Sequence, residues 1–168
     1  MSSASALRSV LILIILLSFC LVSNVQAKPE HGKKFKDWTV MCELLPRSKQ
    51  EVCNIFQNVT NEKNNVVLQI AIGYPPGATN AQALITLPLG VFLQTGIEFK
   101  PGTAKAFRTP FGVCVKTGCI AVIHLSDDIV KGMKSGSKGS VKFAAGKKQV
   151  IELPFSLSGF TAAFNSLK

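Results

Sequence analysis

The sequence predicts a small, mostly β domain, a sandwich or a barrel, that follows a signal peptide and is held by two local disulfides. Three observations carry that expectation. Short apolar segments of period two are separated by turn residues every ~8–12 positions, no βαβ alternation occurs, and four cysteines beyond residue 27 fall into two close pairs.

Residues 1–27 read as an export signal. Arg8 supplies a positive start, residues 10–17 form an unbroken apolar run, and Val25-Gln26-Ala27 provides small residues for cleavage after Ala27. The run is too short for a membrane span of ~20 apolar residues, and Ser18, Ser23 and Asn24 keep it from extending. Cys20 follows the bulky Phe19, unlike a lipoprotein cysteine, and is expected to leave with the signal. Residues 28–168 then have the size of a single domain. Of 19 basic residues only Arg8 is lost, so against 9 acidic residues the mature chain carries +9. Such a balance draws a protein to phosphate- or sulfate-bearing partners without choosing among them.

Four cysteines remain: Cys42, Cys53, Cys114 and Cys119. In an exported chain an even count reads as disulfides, with three connectivities possible. Local pairing, Cys42 with Cys53 and Cys114 with Cys119, is expected because each pair flanks a short polar segment able to turn a hairpin. The ten-residue gap between Cys42 and Cys53 does not fit zinc-ligand spacing, and no C-x-x-C redox motif occurs.

Along the chain, Trp38, Val40 and Cys42 alternate with polar neighbours, as a half-buried strand does; Cys53, Ile55 and Gln57 repeat the pattern after the polar turn. Residues 66–74 are a β-branched strand ended by Pro75-Pro76-Gly77, and 83–87 returns as its hairpin partner. Residues 91–99 form two apolar pieces around Thr95-Gly96, and Pro101-Gly102 turns the chain. Residues 104–108 and 112–115 read as strands on either side of Pro110, and the apolar run 119–125 as a central strand. Ser126 caps a predicted helix with Asp127 and Asp128 in its first turn and Ile129, Val130 and Met133 at helical spacing, ending near Gly136 and covering an edge or end of the sheets. Strands 139–145 and 150–155 follow, and Phe160 and Phe164 suggest a last helical turn.

Catalytic and cofactor motifs are not found. His31 falls in the N-terminal tail of the mature chain, and His124 ends a strand next to Ser126 and Asp127. A hydrolase triad converges from separate parts of a fold, so His124-Leu125-Ser126-Asp127 reads as a strand end followed by a helix cap. With no phosphate loop, nucleophile elbow, H-E-x-x-H pair or calcium loop, the expectation is a protein that is not an enzyme and needs no cofactor or metal. Asn58-Val59-Thr60 fits a glycosylation sequon, which matters only in a eukaryotic secretory pathway. Lys131, Lys134, Lys138, Lys142, Lys147 and Lys148 crowd the last third and form a candidate patch for an anionic partner, set against the simpler reading of a solvated face. Nucleic acid is disfavoured as that partner, since one Trp and one Tyr offer little stacking and Arg47 and Arg108 are the mature chain's only arginines.

The order of motifs resembles the invasion-associated locus B family of bacterial exported proteins. The carriers are Phe35-Lys36-Asp37-Trp38-Thr39-Val40-Met41-Cys42, Cys53-Asn54-Ile55-Phe56-Gln57, Leu87-Pro88-Leu89-Gly90-Val91, Thr109-Pro110-Phe111-Gly112-Val113-Cys114 with Gly118-Cys119, and Leu153-Pro154-Phe155-Ser156-Leu157-Ser158-Gly159-Phe160. The resemblance implies an immunoglobulin-like β-sandwich in the periplasm or at the cell surface, in some members linked to host-cell invasion, and it brings no catalytic residues. The expected role is a non-enzymatic envelope protein binding an envelope or host-surface component, an anionic glycan or lipid, with no transmembrane span. The alternative is a periplasmic accessory or assembly factor that binds another envelope protein.

Overall fold

The computed structural model describes residues 29–46, 48–146 and 149–168. The expected signal segment 1–27, with Cys20, lies outside the described residues, as do Lys147 and Lys148 of the candidate patch.

The chain begins as an antiparallel meander: β1 (Lys34–Phe35), β2 (Trp38–Leu44), β3 (Glu51–Thr60), β4 (Val66–Gly73) and β5 (Gln82–Leu87). It then crosses to a second sheet through β6 (Ile97–Lys100) and β7 (Phe107–Thr109), and returns with β8 (Val113–Val115) and β9 (Gly118–His124). Helix α1 (Asp127–Ser135) leads back to β10 (Lys138–Ala145) and β11 (Gln149–Ser156), and α2 (Phe160–Asn165) closes the described chain. The result is a seven-stranded sheet in the order β1-β2-β3-β4-β5-β9-β8 and a four-stranded sheet in the order β11-β10-β6-β7.

The period-two pattern decides which face each sheet buries. Trp38, Val40, Ile55, Leu68, Ile70, Ile72, Ala83, Ile85, Ala121 and Ile123 of the large sheet share one core with Ile97, Phe99, Val141, Phe143 and Phe155 of the small one. This is a β-sandwich, as the alternation predicts. Both disulfides join directly opposed residues of a hairpin, Cys42 to Cys53 and Cys114 to Cys119.

Four expectations shift in detail. In 91–99 only Ile97–Lys100 is a strand; Leu93–Thr95 forms a 3-10 turn, because Gly96 takes φ 60° and sits too close to the Thr109 carbonyl for a side chain. The strand expected at 104–108 is Phe107–Thr109, since 101–104 is a loop packed on α1. The run 119–125 is not central: β9 lies between β5 and the edge strand β8, burying Ala121 and Ile123 but leaving Val122 on the solvent face. His31 does not hang free as a tail, for its Nδ1 accepts the Cys42 N–H at 3.0 Å. Ser126 caps α1 as expected, its Oγ accepting the Ile129 N–H at 3.5 Å, with Asp127 and Asp128 in the first turn.

Candidate functional site

The motif residues that carry the family resemblance build a joint between the sheets. Gln57, buried on β3, faces Ser156 at the end of β11. Its Nε2 donates to the Ser156 carbonyl at 3.2 Å and to the Asp37 carbonyl at 3.1 Å, while its Oε1 accepts the Ser156 N–H at 2.8 Å. Trp38 Nε1 donates to that same Ser156 carbonyl at 3.1 Å, and Ser156 Oγ donates to Asp37 Oδ2 at 2.6 Å. The Trp38 ring packs edge-on against Phe160 of α2, with centroids 5.4 Å apart. The Gln57 amide occupies the place a neighbouring strand would fill beside β11, satisfying main-chain groups that a sheet edge otherwise leaves open. The Gln57 amide, the Trp38 N–H and the Ser156 hydroxyl are all committed to the fold.

His124 and Ser126 are likewise occupied locally. His124 Nδ1 lies 3.3 Å from Gln82 Nε2 across the β5–β9 pair, and Ser126 Oγ serves as the helix cap. Among the described residues no three of His, Cys, Asp and Glu stand together as metal ligands would.

The lysines divide into two settings. Lys142 lies on the outer face of the small sheet, at one level with Arg108, Glu98 and Glu152 on the other three strands. Its Nζ is 3.2 Å from Glu98 Oε1 and 3.8 Å from Glu152 Oε2, and Arg108 Nε is 3.6 Å from Glu98 Oε2. Signs thus alternate across four strands. The hydrogen bond that Lys142 donates to Glu98, then the negative charge of Glu152, raise the pKa of the Lys142 ammonium above its ordinary value. Lys142 is spent within its own sheet.

Lys131, Lys134 and Lys138 stand elsewhere. Lys131 stands in the middle of α1 and Lys134 in its last turn, and Lys138 opens β10, all exposed. Lys134 Nζ donates to Asn165 Oδ1 at 2.8 Å and lies 5.4 Å from the centre of the Phe164 ring, so it also fastens α1 to α2. The loop after β6 packs on the same helix: the Thr103 N–H reaches the Gly132 carbonyl at 3.2 Å, and Thr103 Oγ1 lies 2.9 Å from Ser135 Oγ. A side chain at Gly132 would strike Ala104, so glycine permits the approach. This packing brings two lysines that sequence clustering missed, Lys100 and Lys105, onto segments against α1. They lie about 30 residues upstream, and only the loop's docking makes them neighbours. Among the described residues none of these five lysines is ion-paired to a carboxylate. The carboxylates of α1, Asp127 and Asp128, sit in its first turn, where they offset the positive end of the helix. Such a surface can hold phosphate, sulfate or carboxylate groups by charge without fixing their geometry.

With this geometry in place, three comparisons give the chain its relatives. The family profile described as "Invasion associated locus B (IalB) protein" matches residues 38–168. Among curated proteins none matches in sequence. Among solved structures, the crystal structure of invasion associated protein B from Bartonella henselae superposes with a TM-score of 0.72 at 20% identity, over 80% of this chain and 92% of that one.

Proposed function

The chain belongs to the invasion associated locus B family, and on that basis we propose that it is an exported, single-domain, non-catalytic binding protein of the bacterial envelope. Its lysine-bearing end meets an anionic glycan or lipid headgroup of the envelope or of a host surface. One observation supports this most: Lys100, Lys105, Lys131, Lys134 and Lys138 project from segments packed together at one end, with no carboxylate paired to them among the described residues. The contrast with Lys142, neutralised by Glu98 and Glu152, separates a surface free to attract from one that is internally balanced. Among the described residues no helix is long and apolar enough to cross a membrane.

Immobilised heparin and vesicles containing phosphatidylglycerol are the probes. The parent is expected to bind both at low salt and to release as salt rises, since exposed charges are screened beyond ~8 Å at physiological ionic strength. Lys100→Glu, Lys105→Glu, Lys131→Glu and Lys138→Glu combined should remove most of the retention. Lys134 is left intact there because it also holds α2. Retention equal to the parent's, or insensitive to salt, refutes the proposal.

A further inference from the structure

We infer that the outer face of the seven-stranded sheet is a self-association surface on which two copies of this chain stack sheet against sheet. The strand registers define two rows of that face. One runs Thr39, Phe56, Ala71, Leu84, Val122 across five strands; the next runs Asn58, Gln69, Thr86, Ile120, Val113. From β2 to β8 neither row contains a charged residue, in a protein of net charge +10; charge enters only at the β1–β2 edge, where Lys34 extends the first row and Glu43 follows Met41. The small sheet's outer face, by comparison, carries Arg108, Glu98, Lys142 and Glu152 at one level.

The face is also apolar beyond what a solvated sheet requires. Met41 at 47%, Leu84 at 39%, Val113 at 53%, Val115 at 44% and Val122 at 39% exposure all stand on it, half of the ten large hydrophobic residues exposed among those described. Four of its polar side chains are already paired laterally. Gln69 Nε2 donates to Asn58 Oδ1 at 3.0 Å, and Gln82 Nε2 lies 3.3 Å from His124 Nδ1. Covering such groups costs less than covering polar atoms that depend on water.

A second copy is the occupant that the area of the face favours. The net charge of the two copies opposes the pairing, and salt screens that repulsion; between β2 and β8 the rows bring no ions that would have to give up their water. From β2 to β8 the face spans six strands at ~4.8 Å spacing and several residues at ~3.4 Å each, a projected area of ~500 Å². Side-chain relief brings that toward the ~800 Å² per partner of a stable interface. Two such faces pack at ~10 Å, as sheets do within a sandwich. The lysine-bearing end lies on α1 and the small sheet, so the inference stands whether or not that end binds anions.

The test is sedimentation velocity of the purified protein from micromolar to submillimolar concentration. A dimer is expected for the parent. Leu84→Lys and Val122→Lys should each weaken the dimer by at least tenfold, while Val150→Lys, at an exposed residue of the small sheet, leaves it unchanged. Circular dichroism confirms that each variant is folded. The parent alone supplies a second reading, independent of any variant: amide resonances of Ala71, Leu84 and Val122 should shift with concentration, and those of α1 should not. A parent that is monomeric throughout, including one that captures a foreign protein on this face, overturns the inference. So do folded lysine variants that dimerise as the parent does, or concentration-dependent shifts confined to other surfaces.

Discussion

Gln57 shows how a single side chain can hold two sheets in register. It makes three hydrogen bonds, two of them to Ser156, which is 99 residues away in sequence. Gln57→Leu keeps most of the volume but takes the partner from the Ser156 N–H and the Asp37 carbonyl, while the Ser156 carbonyl keeps the Trp38 N–H; each group left unsatisfied costs about 1–3 kcal/mol. Urea unfolding should show the midpoint falling with little change in slope. The residue itself was legible in sequence, as the polar member of the Cys53–Gln57 alternation, but its role was not, because Ser156 comes near only once both sheets form. Lys142 gives a second test at this scale. It was grouped with the patch lysines, because sequence proximity says nothing of Glu98 on the neighbouring strand. Its ammonium is held above the ordinary value of 10.5 by Glu98 first and Glu152 second. A raised lysine contributes stability below its unfolded value, and that contribution is lost as pH rises through the folded one. Side-chain NMR titration should therefore find Lys142 losing its proton above the ordinary lysine value, and Glu98→Gln should remove most of the rise.

At the scale of elements, the hairpins were the most legible part because everything that makes them is local. The polar turn, the flanking alternation and the cysteine spacing all fall within a dozen residues, and the disulfides join the residues so opposed. Cys42→Ala should destabilise by about 2–5 kcal/mol, as loss of a native disulfide in a small exported domain does. Non-reducing peptide mapping should return Cys42 with Cys53 and Cys114 with Cys119. Elements shaped by distant contacts were less legible. Residues 91–99 carry enough apolar side chains for a strand, yet the approach of Gly96 to the Thr109 carbonyl favours a 3-10 turn first. The run 119–125 is apolar enough for a central strand, yet its outward residues Ile120 and Val122 belong to the exposed face of the large sheet.

Across the whole molecule, charge is distributed by surface. The large sheet's outer face has almost none, and the small sheet's balances its signs. The end formed by α1 and the loop after β6 gathers lysines with no carboxylate partner among the described residues. The total charge and the crowding near residue 131 were legible in sequence, but Lys100 and Lys105 required the packing of Thr103 on Gly132. On the proposed reading this end, rather than net charge spread over the surface, recognises anionic groups. An amide chemical-shift map of the isotopically labelled protein, titrated with a heparin hexasaccharide at low salt, separates the two. Changes should concentrate at residues 100–105 and 131–138, with Lys142 and the rows through Leu84 and Thr86 unmoved. Perturbations spread evenly over all exposed lysines, centred on another surface, or absent would contradict it.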